Sequence, residues 1–347
     1  MLQLNRRDFA RYVAQAVAAT SLPGQDTGGL TFRADAREVL LHATVVDKKG
    51  TFITDLKRDA FKVFEDGVEQ PIKIFKQEDV PVSLGLIIDN SGSMRPKRKR
   101  VEVAALQLVK ASNPYDEVFL VNFNEDAYLD VPLTNDVKKL EAGLTRIDSR
   151  GGTAFRDALS MSLDHVKEKG KKDKKVLLLI TDGDDTASSD ANTLEKLLSK
   201  AQRTEVLIFA IGILNEERAR EAKRAKRALD MLAKQSGGVA HFPETLETVE
   251  AMAIAIAKEI RSQYIIAYSP TKPDDGGFRQ VKLTVKAPGN PSVRTRSGYY
   301  AKGRWRIETY WGIHAETIGF REFVSFGWTH RRELWRFLRW AERMAEG

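Results

Sequence analysis

The run Val82 to Ile88 is apolar almost throughout and leads directly into Asp89-Asn90-Ser91-Gly92-Ser93. An uninterrupted apolar strand is what a sheet covered on both faces requires. Val101, Ala104, Ala105 and Leu108 then follow helical spacing. The segment therefore reads as a buried strand, a short polar turn and an amphipathic helix. The turn carries one carboxylate and two hydroxyls. In an open α/β sheet such a turn lies on the ligand-binding edge, where strand ends meet helix starts.

The rest of the chain repeats this alternation. Val118 to Phe123 is a strand, with Tyr128 to Leu133 as its antiparallel edge partner across a four-residue connection. Helical spacing returns at Val137, Leu140 and Leu144, and at Ala158, Leu159 and Val166. Val176 to Ile180 and Val206 to Ile211 are further buried strands, and helices are predicted near 192–201, 216–235 and 246–261. This order predicts an α/β fold with a doubly wound, mostly parallel sheet over residues 81–262. Residues 32–80 and 263–302 instead read as β structure. Val39, Leu41, Ala43 and Val45 alternate, Asp66-Gly67 marks a hairpin, and Asp274-Asp275-Gly276-Gly277 is a turn between two later strands. The expected arrangement is one small β-sandwich-like module, in two sequence halves, with the α/β domain inserted between them.

Three loops are expected to meet at the sheet edge. Asp89, Ser91 and Ser93 come from the first. Gly151-Gly152-Thr153 precedes the helix starting near Phe155, and Thr181-Asp182-Gly183 follows the strand ending at Ile180. Asp89, Ser91, Ser93, Thr153 and Asp182 would thus offer two carboxylates and three hydroxyls. Hard cations such as Mg²⁺ take oxygen ligands of this kind.

In this order and placement, the five residues resemble the metal-ion-dependent adhesion site of the von Willebrand factor A domain. The flanking stretches Val46 to Gly50, Phe61 to Gly67, Gln263 to Pro270 and Arg296 to Tyr300 resemble a narrower group, the bacterial VWFA-related proteins, many of them acidobacterial. The resemblance implies a Rossmann-like A domain that holds a divalent cation, Mg²⁺ first and Mn²⁺ or Ca²⁺ as alternatives. It further implies that the ion keeps one position open for a Glu or Asp carboxylate of a partner protein. Neutral hydroxyl ligands fit that role, because they leave the ion electrophilic.

The same residues also admit plainer roles. Ser93 or Thr153 taken singly could be helix N-caps, and Asp184, Asp185 and Asp190 could be solvated loop acids. A strand-terminal aspartate phosphotransferase needs a second acid two residues on, where this chain has Ser91. No phosphate loop or nucleophile elbow appears, and the five histidines form no motif. The expectation is a non-enzymatic protein-binding module, with a metal-dependent phosphoester hydrolase as the alternative. Nucleic-acid binding is the third class, because the net charge is +8. The basic runs Arg95 to Arg100 and Lys169 to Lys175 fall at opposite ends of the predicted sheet and read as solvated surface, the first able to steer acidic partners.

The absence of cysteine excludes disulfides and thiolate metal sites. At the N-terminus, residues 1–31 read as a leader and linker. Asn5 to Ala10 resembles a twin-arginine signal, which implies a periplasmic or secreted protein, with a basic amphipathic helix in a cytoplasmic protein as the alternative. All five tryptophans fall in the arginine-rich tail, 303–347. Its helix at 330–345 is expected to pack on the rest of the protein, with contact to a membrane surface as the alternative.

Overall fold

The structure, a computed structural model, describes residues 38–145, 149–215 and 218–301. The twin-arginine-like stretch, the linker and the tryptophan-rich tail lie outside them. Among the described residues no helix is long and apolar enough to cross a membrane.

The chain begins in β structure: β1 (Val39–Val46), β2 (Phe61–Glu65), β3 (Val68–Gln70) and β4 (Ile72–Gln77). Asp66 and Gly67 both have positive φ, 47° and 83°, and join β2 to β3 as the hairpin turn their sequence calls for. The α/β part follows, from β5 (Val82–Asp89) through α1 (Arg98–Lys110), β6 (Glu117–Phe123), β7 (Ala127–Thr134), α2 (Val137–Leu144), α3 (Phe155–Lys169) and β8 (Lys174–Thr181). It continues through α4 (Leu194–Thr204), β9 (Leu207–Gly212), α5 (Ala219–Ser236), β10 (Ala240–His241) and α6 (Thr248–Arg261). The chain then returns to β structure in β11 (Tyr264–Tyr268), β12 (Phe278–Val285), β13 (Ser292–Arg294) and β14 (Gly298–Tyr300).

The six-stranded sheet has the order β10-β9-β8-β5-β6-β7, and only β7 runs antiparallel to its neighbour. β5 is central and all eight of its residues are buried. Its two faces feed two cores. Leu84, Leu86 and Ile88 join one with residues of α1, α2 and α6, and Ile87 joins the other with residues of α3, α4 and α5. Gly85 pairs with Phe119 on one side and Leu177 on the other. A Cβ there would lie 2.4 Å from Phe119 Cζ and 2.5 Å from Leu177 Cδ2, so close packing accounts for the glycine.

The eight outer strands form two four-stranded sheets, β13-β1-β11-β4 and β14-β12-β2-β3, each drawing on both ends of the described chain. They share one core, in which Val39, Leu41 and Tyr264 meet Phe61, Val63, Leu283 and Tyr299. Glu65 is buried within it and accepts hydrogen bonds from the Tyr268 and Tyr299 hydroxyls at 2.7 and 2.8 Å. This sandwich joins the α/β part at the end of the sheet opposite to Asp89. There Arg261, the last residue of α6, pairs with Asp79 before β5 and Asp116 before β6. Lys174, the first residue of β8, donates to the Ile260 carbonyl. The fold is thus a doubly wound α/β domain inserted in a small β-sandwich.

Candidate metal centre

β5 and β8 are adjacent, but the connection through α1 leads to β6 on one side and the connection through α4 leads to β9 on the other. The crevice at their carboxyl ends is the switch point at which open α/β sheets bind ligands. Asp89 ends β5 and Asp182 directly follows β8, and both are fully buried.

Four of the five candidate residues form one chain of polar contacts. The Ser91 N–H donates to Asp89 Oδ1 at 2.8 Å. The Ser91 and Ser93 hydroxyls lie 3.1 Å apart, and Ser93 donates to Asp182 Oδ1 at 2.9 Å. Ser93 is exposed, so the cluster opens to solvent on that side.

Thr153 is tied to the cluster only through the backbone of its loop, and among the described residues no hydrogen bond joins its hydroxyl to the other four. The Gly92 N–H donates to the Gly151 carbonyl at 3.2 Å, and the Arg150 N–H to the Asn90 carbonyl at 3.0 Å. Gly151 has φ +68°, a conformation glycine adopts freely. The Thr153 N–H donates to the Thr186 hydroxyl at 3.0 Å, while its carbonyl accepts from the Thr186 and Ala187 N–H groups. All three loops are thereby fastened to one another.

Capping does not account for these side chains. The N-cap positions of α1 and α3 are Lys97 and Ala154, and neither makes a side-chain capping bond. Ser91 precedes a 3₁₀ turn, Gly92–Met94, also without a side-chain cap.

Two neighbours complete the site. Thr181 donates to Asp89 Oδ2 at 2.6 Å, both residues being fully buried. Lys97 donates to Asp182 Oδ2 at 2.7 Å, with only 3% of its side chain exposed. The expectation that residues 95–100 are solvated surface therefore fails at Lys97 and Arg98. Arg98 is also buried, with Glu102 and the Leu144 carbonyl as partners. Lys174 departs from the other basic run in the same way, being buried against α6. Of the three acids after Asp182, Asp190 is exposed as expected, but the other two are not solvated. Asp185 is nearly buried, accepts the Arg156 N–H and pairs with the Arg156 guanidinium at 3.0 Å; Asp184 pairs with Arg224 at 2.7 Å.

Burial pushes the Asp89 carboxyl up to about 6; the charge of Asp182 adds to this, and the bonds from Thr181 and Ser91 oppose it. Among the described residues, the hydrogen-bonded cluster holds two buried carboxylates and one ammonium, that of Lys97. Its donors are all oxygen, two charged and the rest neutral. This set suits a hard divalent cation and is a poor match for soft metals. Among the described residues no group of three or more His, Cys, Asp or Glu side chains offers a different kind of site.

The von Willebrand factor type A domain profile matches residues 84–184, the stretch that holds all five candidate residues. The chain contains a von Willebrand factor type A domain. Over 146 residues the chain is 25% identical to inter-alpha-trypsin inhibitor heavy chain H4 of Bos taurus, covering 38% of this chain and 16% of that protein. Over 104 residues it is 31% identical to integrin alpha-11 of Mus musculus, covering 28% of this chain and 8% of the integrin. The match thus spans only a small part of either relative. One similar solved structure is a von Willebrand factor type A protein from Catenulispora acidiphila, with TM-score 0.47 and 14% identity over 86% of this chain and 80% of that one. Another is proximal thread matrix protein 1 from the mussel byssus, described with a zinc-occupied MIDAS motif. It has TM-score 0.46 and 16% identity over 58% of this chain and 50% of that one.

Proposed function

We propose that the A domain is a non-enzymatic, metal-dependent protein-binding module. Asp89, Ser91, Ser93, Thr153 and Asp182 would hold a divalent cation, with Mg²⁺ first and Mn²⁺ or Ca²⁺ as alternatives. When bound, the cation supplies a Lewis-acidic position for a Glu or Asp carboxylate of a partner protein. The observation that carries this reading is the buried, interconnected cluster at the switch point, with two carboxylates and one balancing ammonium. The chain's own residues do the rest. Thr181 and the Ser91 N–H fix the Asp89 carboxylate, Ser93 and Lys97 fix that of Asp182, and the Gly92–Gly151 contact holds the Thr153 loop against the first turn.

Ser91 supports binding over catalysis, because it stands where a strand-terminal aspartate phosphotransferase would carry its general acid. The twin-arginine-like Asn5 to Ala10 stretch supports export from the cytoplasm. The test is an array of Glu- and Asp-containing peptides probed with the full chain in Mg²⁺ and in EDTA. Binding should require the metal and should vanish when the peptide acid is replaced by its amide. Binding that persists in EDTA contradicts the proposal. Turnover of a phosphate ester that disappears in Asp89→Ala would establish the hydrolase alternative instead.

A further inference from the structure

Lys97 is poorly placed for a lysine by every local criterion. It is buried, which penalises an ammonium. It also stands at the N-terminus of α1, where the helix dipole disfavours positive charge. Asp182 compensates both costs, through the contact of 2.7 Å to its Oδ2. Two other cations of this run have partners outside the cluster. Arg95 donates to the Ser149 carbonyl, and Arg98 binds Glu102 and the Leu144 carbonyl. The nearby acids are likewise paired away, Asp184 with Arg224 and Asp185 with Arg156. Among the described residues, the charged side chains of the hydrogen-bonded cluster are those of Asp89, Asp182 and Lys97.

We propose that Lys97 sets the charge of the loaded centre and so selects an anionic ligand for it. This rests on the metal-site reading above. Counted over these three side chains, two carboxylates and one ammonium leave one negative charge. A divalent cation turns that into one positive charge, and a partner carboxylate then closes the site to neutrality. With Lys97 replaced by a neutral residue, the loaded site is already neutral, and an incoming carboxylate would leave it negative. Lys97 thus weakens the hold on the metal ion and strengthens the hold on the acid. A partner offering only a hydroxyl or an amide would gain nothing from it.

The two effects run in opposite directions, which separates this role from a merely structural one. Mn²⁺ affinity can be read from the electron paramagnetic resonance of the free ion. Acetate affinity of the Mn²⁺-loaded protein can be read from water proton relaxation. In the full chain, Lys97→Met should bind Mn²⁺ about tenfold more tightly and acetate about tenfold more weakly than wild type, the scale of one unit charge at close range in a partly shielded site. Lys97→Gln keeps an N–H donor for Asp182 and should shift both values the same way, so the result does not depend on one variant folding. Lys97→Arg keeps the charge and should stay near wild type in both. Unchanged or weaker Mn²⁺ binding in the neutral variants, with wild type binding normally, overturns the role of Lys97 and leaves the metal site standing. No Mn²⁺ binding by wild type removes the metal site and this inference with it.

Discussion

Thr181→Val removes one hydroxyl from the floor of the centre and leaves the shape of the side chain almost unchanged. Thr181 donates to Asp89 Oδ2 at 2.6 Å, and neither residue has any solvent exposure. The bond is short and its acceptor is a carboxylate, so it belongs to the charge-assisted class. A hydrogen bond to a charged group contributes about 1.5–3 kcal/mol, and the buried oxygen left behind has no water to replace its donor. The expected loss in stability is therefore ~2 kcal/mol. For a domain of this size that lowers the melting temperature by about 4–8 °C. Urea unfolding and calorimetry in EDTA would measure it without interference from bound metal. Thr181→Ser keeps the donor and should lose less than half as much. A loss below about 0.5 kcal/mol in Thr181→Val, or an equal loss in Thr181→Ser, would refute the claim that this bond holds Asp89 in place.

Two further outcomes follow from the core. Gly85→Ala places a methyl 2.4 Å from Phe119 Cζ and 2.5 Å from Leu177 Cδ2 and should destabilise by about 1–3 kcal/mol, read as a lower urea midpoint with an unchanged slope. Burial, with Arg261 adding to it and Asp79, Asp116 and Glu259 opposing it, lowers the Lys174 ammonium from its ordinary 10.5 to about 7. Between those values the unfolded chain binds more protons at this lysine than the folded one, so its contribution to stability rises with pH. The slope is at most about 1.4 kcal/mol per pH unit. Unfolding free energies at pH 7, 8 and 9 should show wild type gaining relative to Lys174→Met, and parallel curves would contradict this.

Much of the fold is legible in local pattern. The apolar run Val82 to Ile88 can be satisfied only by a strand covered on both faces, and Asp66-Gly67 is a turn by its own chemistry. The short strands β13 and β14 carry too few residues to show a pattern, and each is defined by its partner, β1 or β12. At the centre, the five candidate positions could be named because a strand end and a helix start are visible in sequence. Thr181 and Lys97 could not be named in the same way. The partner of Thr181 is 92 residues away and that of Lys97 is 85 residues away. Lys97 is also masked by four basic neighbours, Arg95, Arg98, Lys99 and Arg100, in a run that reads as solvated surface. A charge run shows that cations are present and does not show which of them the fold will bury. The pertinent signal is position, since Lys97, four residues after Ser93, immediately precedes the helix that leaves the Asp89 turn.

The most direct measurement is a calorimetric titration of Mg²⁺, repeated with Mn²⁺, into wild type and Asp89→Ala. A single saturable site in wild type that is absent from Asp89→Ala is the expected result. Equal binding by both proteins, or binding by neither, would contradict a metal centre at the Asp89 turn.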